Sequence, residues 1–160
     1  MAITNPEWAE VFEPDGGLRD IVVAGMTPND WTKFLHHLAS HRHLWTPVRD
    51  HEPTAQLPAS YDEIEPEAHS LLAKGALPGQ LNAWFLGDEL EIDLDPREIT
   101  DDSDVEILHA TMRELGRLFQ RDVTMSFEGS HEAIAFRYQF QDDKIRYVTP
   151  PFGDALSYSA

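Results

Sequence analysis

The sequence predicts an α+β fold, a mostly antiparallel sheet with two amphipathic helices packed on one face. Three observations carry this. Two segments repeat apolar residues at helical spacing: Trp31, Phe34, Leu35 and Leu38 in the first, and Val105, Leu108, Met112, Leu115 and Phe119 in the second. Several other segments alternate apolar and polar residues, most sharply "ELEIDLD" at 89–95. Turn signals at Gly87-Asp88 and Gly129-Ser130 join strand candidates into hairpins, and hairpins build antiparallel sheets.

Taken in order, residues 1–17 read as a loosely structured arm, with Trp8, Val11 and Phe12 placed to pin it to the body. "LRDIVVAGM" is a first strand, apolar enough for a central position. A helix over 28–42 follows. Thr27 is its N-cap, Pro28 takes the first helical position, and Asp30 complements the positive helix end. "HLWTPVRDH" is a short strand that Pro47 confines to a sheet edge, and 51–61 is a loop. A short helix is expected over 62–74, with Ile64, Ala68, Leu71 and Leu72 inward and Gly75 ending it. "QLNAWFLGDELEIDLD" forms a hairpin. The longest helix, over 102–121, has Asp101, Asp102 and Asp104 at its start and Arg117 and Arg121 at its end. "DVTMSFEG" and "EAIAFRYQF" are two more strands, "IRYVTP" adds a third, and 150–160 is a tail. At 160 residues the chain is read as one domain.

Charge is the strongest compositional signal. Twenty-nine Asp and Glu face twelve Lys and Arg, a formal net charge of −17. Such a field repels nucleic acid and anionic membranes and speeds encounter with basic partners. There is no cysteine, which rules out disulfides and thiolate chemistry within the chain and suits a reducing compartment. The first residues carry no basic, apolar leader pattern and no apolar run is long enough to span a bilayer, so a cytoplasmic location is expected.

The charge is concentrated. Residues 88–106 hold ten acids against one base, Arg97. On a strand, Leu90, Ile92 and Leu94 face the core while Glu89, Glu91, Asp93 and Asp95 form an exposed row on the opposite face. A second acidic cluster, Asp62, Glu63, Glu65 and Glu67, lies upstream. Signs mixed evenly serve solubility; signs segregated this way suit a cationic partner.

Motifs for catalysis are absent. No glycine arrangement makes a phosphate cradle, and neither His51-Glu52 nor His131-Glu132 extends to HExxH. His37 and His41, four apart on a helix, can share a zinc ion if a carboxylate joins them, but histidine also suits a helix C-terminus. Glu91, Asp93 and Asp95 bridge a cation only if further oxygens converge, and cross-strand bases such as Arg137 or Arg146 are the plainer partners.

"LRDIVVAGMTPNDWTKFLHHL", then "LEIDLDPREI", then a helix running into "LGRLFQRDVTMSFEG", is a layout that resembles small acidic bacterial proteins of unknown activity, among them immunity proteins of polymorphic toxin systems. The resemblance implies a small acidic cytoplasmic binder and brings no functional residues with it. The function expected is an acidic protein-binding module, an immunity-type inhibitor occupying a basic cleft of a toxin-like protein. Glu89, Glu91, Asp93 and Asp95 are the first partner-binding candidates, Asp62, Glu63 and Glu65 the second, and Trp84 an aromatic anchor beside them. The alternatives are a metal-assisted hydrolase using carboxylates and histidines, and a self-associating accessory domain that pairs as a homodimer. No catalytic residue, metal site or cofactor is assigned.

Overall fold

The computed structural model describes residues 2–42, 44–49, 52–53, 57–63, 72–75, 81–85 and 87–148. In chain order the elements are α1 (Pro6–Val11), β1 (Arg19–Ala24), α2 (Pro28–Ser40), β2 (Trp45–Arg49), β3 (Glu52–Pro53), β4 (Leu72–Gly75), β5 (Leu81–Phe85), β6 (Glu89–Leu94), α3 (Asp102–Phe119), β7 (Val123–Phe127), β8 (Ser130–Gln139) and β9 (Lys144–Tyr147). The strands form one sheet in the order β3-β2-β4-β5-β6-β1-β7-β8-β9, and every neighbouring pair is antiparallel. The α+β architecture is the expected one, with β1 central and the β5–β6 and β7–β8 hairpins where the turn residues put them.

Helices α2 and α3 pack against each other and on one face of this sheet. Their apolar stripes supply Trp31, Phe34, Leu35, Leu38, Val105, Leu108, Met112, Leu115 and Phe119 to the core, and the strands supply Ile21, Val23, Leu90, Ile92, Leu94, Val123 and Met125. The caps are those the sequence names. Thr27 and Asp30 make a reciprocal capping box on α2, and the Asp101 side chain accepts from the Asp104 N–H on α3. Arg121, just after α3, reaches back to Asp30 at 2.7 Å and ties the end of one helix to the start of the other. The Trp31 indole N–H donates to the Gly87 carbonyl, which fixes α2 to the β5–β6 turn.

Two expectations change. The arm is not loose: Asn5 caps α1, and Val11 and Phe12 are buried in the core. The helix expected over 62–74 is not one helix. Residues 61–63 form a 3-10 turn, and Leu72–Gly75 is strand β4 between β2 and β5. A four-residue stretch with two apolar residues fits either period, and pairing on both sides decides for the strand. Pro47 sits near the edge as expected, although the two-residue β3 lies outside it. Residues 64–71 and the expected tail lie outside the described residues.

Gly116, in the buried stripe of α3, sets how closely that helix approaches β8. A Cβ at this position would lie 2.1 Å and 2.2 Å from two ring carbons of Tyr138. Tyr138 is fully buried, and its hydroxyl donates to Asp143 at 2.7 Å, so the ring has nowhere to turn. Gly116→Ala is expected to destabilise the fold by about 1–3 kcal/mol through overpacking, against a helix-propensity gain of about 1 kcal/mol. Denaturant midpoints check this, and a neutral or stabilising result would show that α3 and β8 are not held at this spacing.

Candidate functional site

Strand β6 alternates as the sequence requires. Leu90, Ile92 and Leu94 are 0–1% exposed beneath the helices. Glu89, Glu91 and Asp93 therefore turn to the opposite face. Strand β1 runs antiparallel beside it with Asp20 opposite Asp93, Val22 opposite Glu91 and Ala24 opposite Glu89. Directly opposed residues share a face, so Asp20 joins the carboxylate group from the neighbouring strand. On the other side of β1, Ser126 of β7 stands opposite Asp20 and Thr124 opposite Val22.

The β7–β8 hairpin completes the site through an irregular ladder. Met125 pairs with Phe136, Ser126 with Ile134, and Phe127 with Ser130, so β8 carries extra residues against β7. Such bulges bend a strand and re-aim its side chains. Here the bulge brings His131 onto the acidic face. Its Nε2 lies 3.4 Å from a Glu91 carboxylate oxygen and 3.9 Å from one of Asp20, and its Nδ1 lies 3.4 Å from Glu89. Among the described residues His131 is the one basic side chain within 4 Å of these three carboxylates.

The crowding shows in the acidities. Burial pushes the Glu91 carboxyl above its ordinary value, the Asp20 charge adds to this, and Glu89 and Asp93 add further, with His131 opposing. Asp20 is also pushed up, first by burial and then by Asp93 and Glu128, against a backbone hydrogen bond from Gly129 and the His131 charge. Ser126 is fully buried, and its hydroxyl has no hydrogen-bond partner among the described residues.

The expected row is thus part of a larger group and is less exposed than expected. The Glu89 and Glu91 side chains are 29% and 23% exposed, because His131 lies against both. Asp93 is likewise half-buried. Asp95 lies beyond the end of β6, caps the 3-10 turn at Pro96–Glu98 and pairs with Arg97. That pairing, not burial, holds its carboxyl below the ordinary range. An open pocket lined by Pro14, Gly17, Leu18, Asp95, Pro96 and Arg97 lies beside it, away from Glu91 and His131.

Asp62 and Glu63 are exposed in the 3-10 turn that packs beside α2, where Glu63 accepts from the Ala59 N–H. Glu65 lies outside the described residues. Trp84 pairs with Glu91 across β5 and β6, which puts it beside the acidic row in register. Arg146 pairs with Asp142, and Arg137 stands opposite Thr124, so neither is a direct cross-strand neighbour of β6. His37 and His41 do meet a carboxylate, Glu114 of α3. The two rings stack with centroids 4.1 Å apart, and His41 Nδ1 is 2.9 Å from the His37 carbonyl.

Asp20, Ser126 and His131 were not among the residues that sequence reasoning marked for function. One signal for Asp20 was available. "RDIVVA" begins with two charges, and on a strand adjacent residues face opposite sides, so one of the two had to face away from the core. No family model matches the chain, and no curated protein or solved structure matches it.

Proposed function

We propose that the chain is a protein-binding module of the immunity type, which acts in the cytoplasm by presenting its acidic sheet face to a basic cleft of a toxin-like protein. The observation that supports this reading is the carboxylate group on the face turned away from α2 and α3. Glu89, Glu91 and Asp93 remain partly accessible there, and His131 is the basic contact of the first two. With a net charge of −17, such a face accelerates encounter with a cation-lined cleft. Trp84, in register beside Glu91, is the anchor that slows release. Asp62, Glu63 and Glu65 extend the acidic surface.

The test is association kinetics with a partner captured from the native host. Glu91→Lys combined with Asp93→Lys is expected to slow association roughly tenfold or more and to flatten its salt dependence. Folding is expected to survive, because the change relieves repulsion among neighbouring acids and sets a cation near Asp20. An unchanged association rate and salt slope would remove the acidic face from the interface.

A further inference from the structure

We propose that Asp20, Glu91 and His131 form a binding site for a divalent transition-metal ion of the zinc class, with Glu89 as the outer partner of the histidine. This goes beyond the partner reading and does not depend on it.

One donor atom from each of the three residues lies within 4.8 Å of the others. Ligands of a four-coordinate zinc at about 2.0–2.1 Å stand about 3.3 Å from one another. The His131 Nε2 to Glu91 distance of 3.4 Å already matches such an edge, and the 3.9 Å to Asp20 needs a contraction of a fraction of an ångström. One nitrogen with two carboxylates suits a borderline ion better than magnesium or calcium, which favour all-oxygen sets.

The orientation of the imidazole is an independent observation. Metal-bound histidines commonly turn their second ring nitrogen to a carboxylate, which fixes the tautomer. Here Nε2 faces Asp20 and Glu91 while Nδ1 faces Glu89 at 3.4 Å. A third observation is Ser126. It stands directly opposite Asp20 on the same face, fully buried, with no hydrogen-bond partner for its hydroxyl among the described residues. A buried hydroxyl left in this state calls for a water or an ion, and its residue is the cross-strand neighbour of Asp20, one of the three donors. The charge balance agrees. Three carboxylates share one histidine, and a divalent cation supplies what the single imidazole does not.

The experiment is calorimetric titration of the chelator-treated full chain with zinc chloride alone, at physiological salt and without any partner protein. One saturable ion is expected at this site. His131→Ala and Glu91→Gln are expected to abolish its binding, and Glu89→Gln to weaken it about 10–100-fold, as loss of an outer-shell partner does. His41→Ala is expected to leave that binding unchanged, which separates this site from His37, His41 and Glu114. Asp20 is too buried for a safe variant, so the surface-accessible His131 and Glu91 carry the test, with circular dichroism confirming that both variants fold. Absence of saturable binding, or binding lost in His41→Ala and kept in His131→Ala, would overturn the proposal. Since no partner protein is present, failure here leaves the protein-binding reading standing, and the converse also holds.

Discussion

Arg19→Met is expected to destabilise the protein by about 3–5 kcal/mol and to release the N-terminal arm. Arg19 opens the central strand β1 and is 1% exposed, yet its guanidinium is fully engaged. Nε donates to the Val11 carbonyl at 2.7 Å, Nη2 to that of Glu13 at 3.1 Å, and Nη1 to that of Leu18 at 3.0 Å. Asp15 accepts from both terminal nitrogens at 3.2 and 3.3 Å, and the guanidinium lies 4.5 Å from the centre of the Phe127 ring. One side chain thus gathers the backbone at the end of α1 and the turn that follows. Asp15 is half exposed, so the ion pair itself contributes little. The carbonyls matter more, because each buried acceptor that loses its donor costs about 1–3 kcal/mol. The Val11 contact is buried and those to Glu13 and Leu18 are part-buried, so water relieves the latter two in part and the three together give the range stated. Methionine keeps the aliphatic packing and removes the donors together with the charge that faces Asp15 and Phe127. Arg19→Lys is expected to recover little, since one ammonium cannot reach three carbonyls set around a planar fork. Urea midpoints measure the loss, and hydrogen exchange places it. Amides of residues 5–13 should exchange faster than those of α3. A loss below about 1 kcal/mol with unchanged exchange in α1 would contradict this account of the arm.

Arg19 also marks the boundary of what the sequence makes legible. The helices and the β6 row were legible because each depends on a pattern within one short window. Trp31, Phe34 and Leu38 repeat at the helical period, Leu90, Ile92 and Leu94 at the strand period, and all six are buried. The Gly87 and Gly129 turns were legible because positive φ favours glycine, and both residues adopt it, at 75° and 69°. What escaped was every contact between distant windows. Asp20 meets Glu91 only because β1 pairs with β6, and His131 reaches both only because the β7–β8 ladder slips. A slip of register leaves no compositional trace. The arm was misread for a related reason. Val11 and Phe12 do pin it, as their apolar side chains suggest, but a further anchor lies outside the arm at Arg19, where a charge in an apolar strand reads as a strand boundary and not as a clamp. The short helix failed for want of length, since "LLAKG" suits two periods and the neighbouring strands choose between them.

The second large effect expected is an acid-side loss of stability that depends on His109. This residue lies on α3, half-buried, with its ring edge-on to Trp8 at 5.3 Å and to Phe136 at 4.6 Å. Its Nε2 is buried and has no hydrogen-bond partner among the described residues. Burial, and then the Arg113 charge, push its pKa down from 6.5 to about 4. The unfolded chain takes up this proton near pH 6.5, whereas the folded chain resists it until about pH 4. Between those values the unfolded state binds more protons, so stability falls as the pH falls. The contribution is fully present above the upper value and lost by the lower one, in all about 3 kcal/mol at ~1.36 kcal/mol per unit. Asp20 and Glu91 act in the opposite sense. Their carboxyls are raised in the fold, so the folded state holds those protons to higher pH and gains as the pH drops. The raw pH profile therefore mixes both signs, and a variant is needed to separate them. His109→Phe keeps a planar ring between Trp8 and Phe136 and removes the titration; His109→Leu does so with less bulk. Either variant retains the carboxylate contribution. The difference in unfolding free energy between variant and parent should shift in the variant's favour as the pH is lowered from about 7.5 to about 4.5, by most of the stated amount. A difference that stays flat across this interval in both variants would show that the imidazole is protonated without penalty in the fold, and that the contact of Trp8 and Phe136 with it is looser than the structure has it.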